Sequence, residues 1–206
     1  MWFHRIQTET LLDYAVAYSY NTPSIYSLKI RSIRAIRVPY LILHYFYPMN
    51  LEWLKTGIGP LKELIAFLNK EGKTNDVLKK QVIRELRNNL NIFHNGFMNN
   101  VSQDTMIDML NNDMIKEAIK ENFKFKKLKP GRIEPYHVFD ERNKKYTGWD
   151  AEKLIDKIDE KIEELKNIKK MNGGSVSNVK NNLSLMLSNL YYRMKLLADF
   201  IRSDIK

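Results

Sequence analysis

The run TNDVLKKQVIRELRNNLNIFHNGF, from Thr74 to Phe97, has the pattern of one amphipathic helix. Its apolar residues recur at steps of three and four, which marks one face of an α-helix; they are Ile83, Leu86, Leu90, Phe93 and Phe97. A polar stripe lies beside them and contains Arg84, Arg87, Asn88, Asn91, His94 and Asn95. Arg87 and His94 are seven residues apart, so both leave the helix on the same side, about 10 Å apart along its axis.

The polar stripe combines the side chains that phosphodiester chemistry requires. Arg87 offers a rigid fork of donors that matches phosphate oxygens. His94 belongs to the residue type whose unperturbed pKa lies nearest neutrality, so it can give or take a proton. Asparagine is a poor helix former, yet four occupy this short segment, at Asn88, Asn89, Asn91 and Asn95. The pattern favours a functional site. The alternative is an ordinary solvated helix face, with His94 hydrogen-bonded near the helix end.

At these residues the sequence resembles the HEPN superfamily of all-α proteins. The signature of that family is an arginine, often followed by a small polar residue, with a histidine a few positions further on. Here Asn88 follows Arg87, and six residues separate Arg87 from His94. The resemblance covers this short motif and its helical context.

The resemblance implies a metal-independent endoribonuclease without a cofactor, in which two protomers bring their motifs together in one site at a dimer interface. The 2′-hydroxyl of RNA attacks the adjacent phosphate and leaves a cyclic phosphate. Carried onto this chain, His94 is the general acid or base, or orients the scissile phosphate, and Arg87 stabilises the developing phosphorane charge. Asn88 holds the motif or bonds the phosphate. Further contacts to the substrate are expected from Arg84, Asn91 and Asn95.

Many HEPN ribonucleases act in toxin–antitoxin or abortive-infection defence. The resemblance therefore implies RNA as the substrate, a homodimer as the assembly, and an antitoxin or a phage-encoded activator as a further partner.

The composition is that of a globular protein that prefers polyanionic partners. Of 206 residues, 44% are hydrophobic and 28% are charged, a composition that suits one domain with a substantial core. Lys and Arg number 34 against 24 Asp and Glu, so the formal charge is +10, which favours nucleic acid or an anionic membrane surface. Cysteine is absent, which excludes disulfides and thiolate chemistry. Because the sequence shows neither a signal-peptide core nor a long apolar run, we expect a cytoplasmic protein with no membrane partner.

The N-terminal part of the chain contains four segments with different patterns. Residues 1–20 have apolar spacing typical of a helix. The segment from Ser24 to Arg37 carries four cations and no acid, so it is either an RNA-facing helix or a solvated one. The aromatic block from Val38 to Trp53 predicts a short buried helix or a dimer surface. Pro60 and Gly72 bracket a further predicted helix.

Residues 123–149 predict a basic loop. Two prolines and two glycines interrupt the segment, and eight Lys or Arg stand against three Asp or Glu between Lys124 and Lys145. The interleaved aromatic residues are Phe123, Phe125, Tyr136 and Tyr146. Cations with aromatics are typical of a single-stranded nucleic-acid groove, although a plain exposed loop has the same composition. The candidate RNA contacts in the loop are Lys126, Lys127, Lys129 and Arg132, and His137 becomes one only if the loop folds over the motif helix.

The C-terminal third predicts a helical hairpin. Asp150 is the expected cap of its first helix, and the second carries apolar residues from Val179 to Ile201 at heptad-like spacing. Between the motif helix and the loop, one helix is expected from Gln103, capped by Asp104. The prediction is an all-α bundle of about six to eight helices, a single domain over 1–206 with the loop inserted at about 123–149 and the hairpin at about 150–206.

Several site types find no support in the sequence. It has no glycine-rich phosphate loop, no histidine pair at metal-ligand spacing and no strand–turn–helix elbow for a serine nucleophile. Two other classes stay open beside the ribonuclease. One is a non-catalytic helical module that binds RNA, a nucleotide or a protein partner, and the other is a DNA-binding helical domain argued from charge alone.

Overall fold

A computed structural model describes residues 58–203, which lie within one compact unit. These residues form six α-helices and three short 3₁₀-helices, and none of them is in a β-strand. The predicted all-α class is therefore confirmed for this part of the chain. The segments predicted over 1–20, 24–37 and 38–53 lie outside the described residues, and the single domain over 1–206 stays a prediction.

The connections between successive α-helices are three to eleven residues long except at the predicted loop. The α-helices are α1 (Ile58–Glu71), α2 (Val77–Met98), α3 (Gln103–Met109), α4 (Asp113–Lys120), α5 (Ala151–Met171) and α6 (Leu183–Arg202). Between α4 and α5 lie the 3₁₀-helices η1 (Phe125–Lys127), η2 (Pro135–His137) and η3 (Glu141–Tyr146). No helix in the described part of the chain combines the length and apolar character needed to cross a bilayer.

The motif helix α2 follows the predicted periodicity. Asp76 caps it, because its carboxylate accepts the backbone N–H of Lys79 at 3.1 Å. Four of the five predicted stripe residues are buried, and Phe97 packs against the same core. Gly96 permits a close approach of α3, since a Cβ at that position would lie 2.9 Å from the sulfur of Met106.

Helix α6 is central to the core and completes the predicted hairpin with α5. It packs against α1, α2 and α5, and the ring of Tyr191 lies 5.6 Å from the ring of Phe93 in α2. Burying each such side chain contributes on the order of 1.5–3 kcal/mol. The helix begins later than predicted from Val179, because the side chain of Asn182 accepts the N–H of Leu185 at 3.0 Å and caps it there.

The prediction of a single helix from Gln103 is wrong, because the structure has two helices there, α3 and α4. Polar side chains of α2 fix the break between them. The amide of Asn89 accepts the N–H of Asn111 at 2.9 Å and donates to its carbonyl at 2.5 Å. The carboxylate of Glu85 accepts two N–H groups in the first turn of α4, from Met114 at 2.8 Å and Ile115 at 3.0 Å. Glu85 thus caps α4 from another helix.

Asp104 is not the cap that the sequence predicted. Ser102 caps α3, its hydroxyl accepting the N–H of Thr105 at 3.2 Å. The carboxylate of Asp104 instead accepts the N–H of Val176 at 2.8 Å and the hydroxyl of Ser175 at 3.1 Å. It therefore ties α3 to the turn between α5 and α6.

Candidate functional site

Two asparagines hold the guanidinium of Arg87. Its Nη1 donates to Oδ1 of Asn69 in α1 at 2.6 Å, and its Nη2 and Nε donate to Oδ1 of Asn88 at 2.7 and 3.2 Å. A guanidinium only donates hydrogen bonds, so both amides must turn their oxygens toward it. No Asp or Glu among the described residues pairs with Arg87. The cation is fixed in place while its charge stays uncompensated within this part of the chain.

The same arrangement leaves several donors for a ligand. Three of the five N–H groups of Arg87 are used, which leaves one on Nη1 and one on Nη2. Asn69 and Asn88 are exposed, and their Nδ2 groups have no partner among the described residues. A cation flanked by amide N–H groups is suited to an oxyanion such as phosphate.

His94 lies two turns further along α2 and is half-buried. Its Nδ1 atom is buried without a hydrogen-bond partner in the described part of the chain. The nitrogen through which the ring can meet a bound molecule is therefore Nε2. This edge of the ring is able to accept or donate one proton.

The side chains of Arg84, Asn91 and Asn95 complete the polar stripe and have no partner among the described residues. Arg84 is exposed and makes no hydrogen bond or ion pair within residues 58–203. Its Cγ lies 3.7 Å from the position that a Cβ of Gly72 would take, beside the end of α1. Asn91 is half-buried and Asn95 is exposed. The stripe is thus a continuous polar surface with cations at Arg84 and Arg87.

Lys126, Lys127 and Arg132 of the loop are exposed, as expected for substrate contacts. Lys127 pairs with Asp76 at 3.0 Å, at the start of α2. The pKa of Asp76 is lowered, first by the N–H of Lys79 that it caps and then by Lys127. Arg87 lies about 16 Å further along the helix, so a single protomer does not bring Lys127 beside Arg87.

The position of Lys129 does not fit its predicted role as an RNA contact. Only 5% of the residue is exposed, and its Nζ lies 5.7 Å from the centre of the Phe200 ring. An ammonium enclosed in this way cannot reach a phosphate.

The aromatic residues of the loop also differ from the expected stacking surface. Phe123, Phe125 and Tyr146 are buried, whereas Tyr136 is 71% exposed. The loop has little regular structure of its own, and it uses these rings to cover the helices. Of the predicted base-stacking residues, Tyr136 alone presents its ring to solvent.

His137 packs inside the protein and does not lie at the candidate site. It is buried, and its Nδ1 accepts the N–H of Glu134 at 2.8 Å. Its ring lies 5.0 Å from that of Phe200 in α6. The ring therefore serves the packing of η2 on α6.

The part of the chain that the structure describes contains no group of three or more His, Asp or Glu side chains placed to hold a metal ion. Fold and site together define, within the described residues, an all-α protein with an amide-held arginine and a half-buried histidine on one polar helix face. Comparison with protein-family models, with curated proteins and with solved structures finds no match.

Proposed function

We propose that this protein is a metal-independent endoribonuclease of HEPN type, acting in antiphage defence or in a toxin–antitoxin system. The observation that supports this proposal best is the environment of Arg87, whose guanidinium is oriented by Asn69 and Asn88 with no acid among the described residues to neutralise it. His94 lies on the same helix, with its Nδ1 buried and its Nε2 edge available. A fixed cation and a proton carrier are the two functions that cleavage of RNA by its own 2′-hydroxyl requires.

In the proposed reaction the 2′-oxygen forms a bond to the adjacent phosphorus and the bond from phosphorus to the 5′-oxygen breaks. A base takes the proton of the 2′-hydroxyl, and an acid protonates the departing 5′-oxygen. His94 supplies one of these proton transfers or orients the phosphate. Arg87 binds the non-bridging oxygens, on which charge accumulates in the transition state. The products are a 2′,3′-cyclic phosphate and a free 5′-hydroxyl.

The distance between the two residues favours a composite site. Arg87 and His94 are about 10 Å apart along the helix axis, and the guanidinium is drawn toward Asn69 of α1. One phosphate contacts groups within about 3 Å of its oxygens. Two protomers that face each other through this surface would bring an arginine and a histidine to the same phosphate. A homodimer is therefore part of the proposal.

The test is cleavage of labelled single-stranded RNA in EDTA by the wild type, Arg87→Ala and His94→Ala. Lys153→Ala is a matched control, because it removes one exposed charge from α5. We expect cyclic phosphate ends with the wild type and the control, and a loss of at least about 100-fold in the two site variants. Cleavage that is unchanged in both site variants would rule out this site.

A binding module without cleavage is the second candidate. Arg84 favours it, because this residue is exposed and has no partner within residues 58–203. Together with Arg87 it offers two cations to a phosphate chain without any need for His94. RNA binding by all the variants except Arg87→Ala, with no cutting by any of the proteins, would favour this second function or a ribonuclease that awaits its activator.

A further inference from the structure

A surface cleft of about 400 Å³ lies between η3, α5 and α6. Its volume falls within the range of small-molecule sites, roughly 300–1,000 Å³. None of its lining residues belongs to the polar stripe of α2. What the cleft could bind is therefore a separate question from the reaction proposed at Arg87 and His94.

Two aromatic rings form the apolar part of the cleft. Tyr146 and Trp149 meet edge to face, with ring centres 5.0 Å apart and planes at 72°. Tyr146 is buried, whereas Trp149 is only half-buried. Because Trp149 lines the cleft and is not fully buried, its indole is the candidate surface for stacking a flat ring.

Four cations line the cleft against two acids. Both acids form ion pairs along α5, Glu160 with Lys157 and Glu164 with Lys161. The lining therefore carries a net charge of four minus two, or +2. The net positive charge comes from the two cations that are not in these ion pairs.

Those remaining cations are Lys145 and Arg193. Neither pairs with an acid among the residues that the structure describes. Their charged groups lie 5.4 and 5.7 Å from the centre of the Tyr146 ring. The Nε of Arg193 donates to the hydroxyl of Tyr146, which orients the guanidinium and leaves its Nη1 and Nη2 donors without a partner in this part of the chain. The fork matches the geometry of a phosphate.

We propose that this cleft binds a nucleotide, with its phosphate on Lys145 and Arg193 and its base against Trp149. A terminal phosphate carries about two negative charges at neutral pH, which matches the two uncompensated cations. A nucleobase supplies the flat ring that the indole can accommodate. The nucleotide is either free or the 5′-terminal unit of an RNA chain, since both present the same phosphate and base. The proposal does not rest on cleavage at Arg87 and His94.

Titration calorimetry on the full chain tests the proposal with three ligands: AMP, adenosine and a 5′-phosphorylated RNA trinucleotide. We expect AMP or the trinucleotide to bind, and adenosine to bind at least about tenfold more weakly. Binding of AMP identifies the free nucleotide as sufficient, whereas binding of the trinucleotide alone identifies an RNA end. Trp149 fluorescence, in a chain with Trp2→Phe and Trp53→Phe, should change on binding.

Two lysines that are adjacent in sequence provide a matched pair of variants. Lys145→Ala should raise the Kd about tenfold, and the protein should stay folded because the side chain is exposed. Lys144→Ala removes the same charge outside the cleft, where Lys144 pairs with Glu141 at 2.7 Å, and should leave the Kd unchanged. Arg193→Gln should also weaken binding, with a thermal melt to confirm that it is folded.

Three outcomes would overturn the site. The first is no binding of AMP or the trinucleotide at millimolar concentration. The second is an equal loss of affinity in Lys144→Ala and Lys145→Ala, which would indicate a general charge effect. The third is adenosine binding as tightly as AMP, because the two cations would then have no part in recognition.

Discussion

Nη1 of Arg87 donates to Oδ1 of Asn69 at 2.6 Å, and this hydrogen bond joins α2 to α1. The acceptor is a neutral amide and not a carboxylate, so the hydrogen bond does not neutralise the charge of Arg87. An amide orients the guanidinium as an acid would, but it leaves the positive charge for a ligand. The contact therefore makes Asn69 part of the candidate site, although it lies outside the motif.

The first prediction concerns Asn69→Asp. A carboxylate at this position would keep the hydrogen bond and neutralise Arg87, so RNA affinity and cleavage should fall about tenfold or more. The free energy of unfolding should stay the same or rise by up to about 1 kcal/mol, because an exposed ion pair contributes little. Binding and cleavage assays together with urea denaturation measure the two effects.

Asn75→Asp is the control for that experiment. Asn75 is exposed in the turn between α1 and α2, and the substitution makes the same change in net charge away from Arg87. Affinity lost equally in both variants would mean that overall charge matters and that the contact with Asn69 does not.

The second prediction separates a structural asparagine from a surface one. Asn89→Ala should lower the free energy of unfolding by about 1–3 kcal/mol, since it leaves the backbone N–H and carbonyl of Asn111 without their partner. Asn95→Ala, on the exposed side of α2, should change it by no more than about 0.5 kcal/mol. Both substitutions make the same gain in helix propensity, so the difference reports the buried hydrogen bonds. Equal urea-denaturation midpoints in the two variants would contradict the prediction that the hydrogen bonds of Asn89 stabilise the fold.

Part of this arrangement could be predicted from the sequence by periodicity. Asn89 lies three residues after Leu86 and four before Phe93, so it falls on the apolar face of α2. This spacing distinguishes it from Asn88 and Asn91, and it could have identified Asn89 as a buried structural residue. The same rule correctly predicted the buried stripe of α2 and the apolar face of α6. The capping preference of aspartate correctly predicted Asp150 at the start of α5, whereas the cap of α6 at Asn182 was not predicted.

The remaining features depend on contacts between distant segments. Asn69 and Arg87 are 18 residues apart, and no local pattern connects them. The break between α3 and α4 depends on Glu85 and Asn89 of another helix. The loop has no hydrophobic period, so its composition could not show that Lys129 lies inside while Lys126 lies outside.

The third prediction is a dependence of stability on pH that arises from Glu85. Burial raises the pKa of this carboxyl, although the N–H groups of Met114 and Ile115 act in the opposite direction. The folded protein therefore keeps the proton at pH values where the unfolded chain has lost it. The contribution to the free energy of unfolding must then fall as pH rises from about 4.3, the ordinary value for glutamate, through the raised pKa of the folded state.

Urea denaturation of the wild type and Glu85→Gln across this pH range measures the effect. Glutamine does not titrate, and its amide oxygen can still accept one of the two N–H groups. The free energy of unfolding of the wild type minus that of the variant should decrease with rising pH and then level off. A difference that stays flat or increases with pH would show that Glu85 does not hold its proton more tightly in the folded state.

The last prediction distinguishes the two roles proposed for His94 by replacing the ring with amides. In His94→Gln the amide nitrogen can take the place of Nε2, so a hydrogen bond to phosphate survives while proton transfer is lost. In His94→Asn the shorter side chain reaches only the position of Nδ1, which is buried without a partner among the described residues. If His94 transfers a proton, both variants should lose cleavage about 100-fold or more, while His94→Gln alone keeps wild-type affinity for RNA. Cleavage by His94→Gln within about tenfold of wild type would instead assign His94 to holding the phosphate. Cleavage at the wild-type rate by His94→Asn would remove His94 from the reaction, because neither the proton nor the hydrogen bond would then be required.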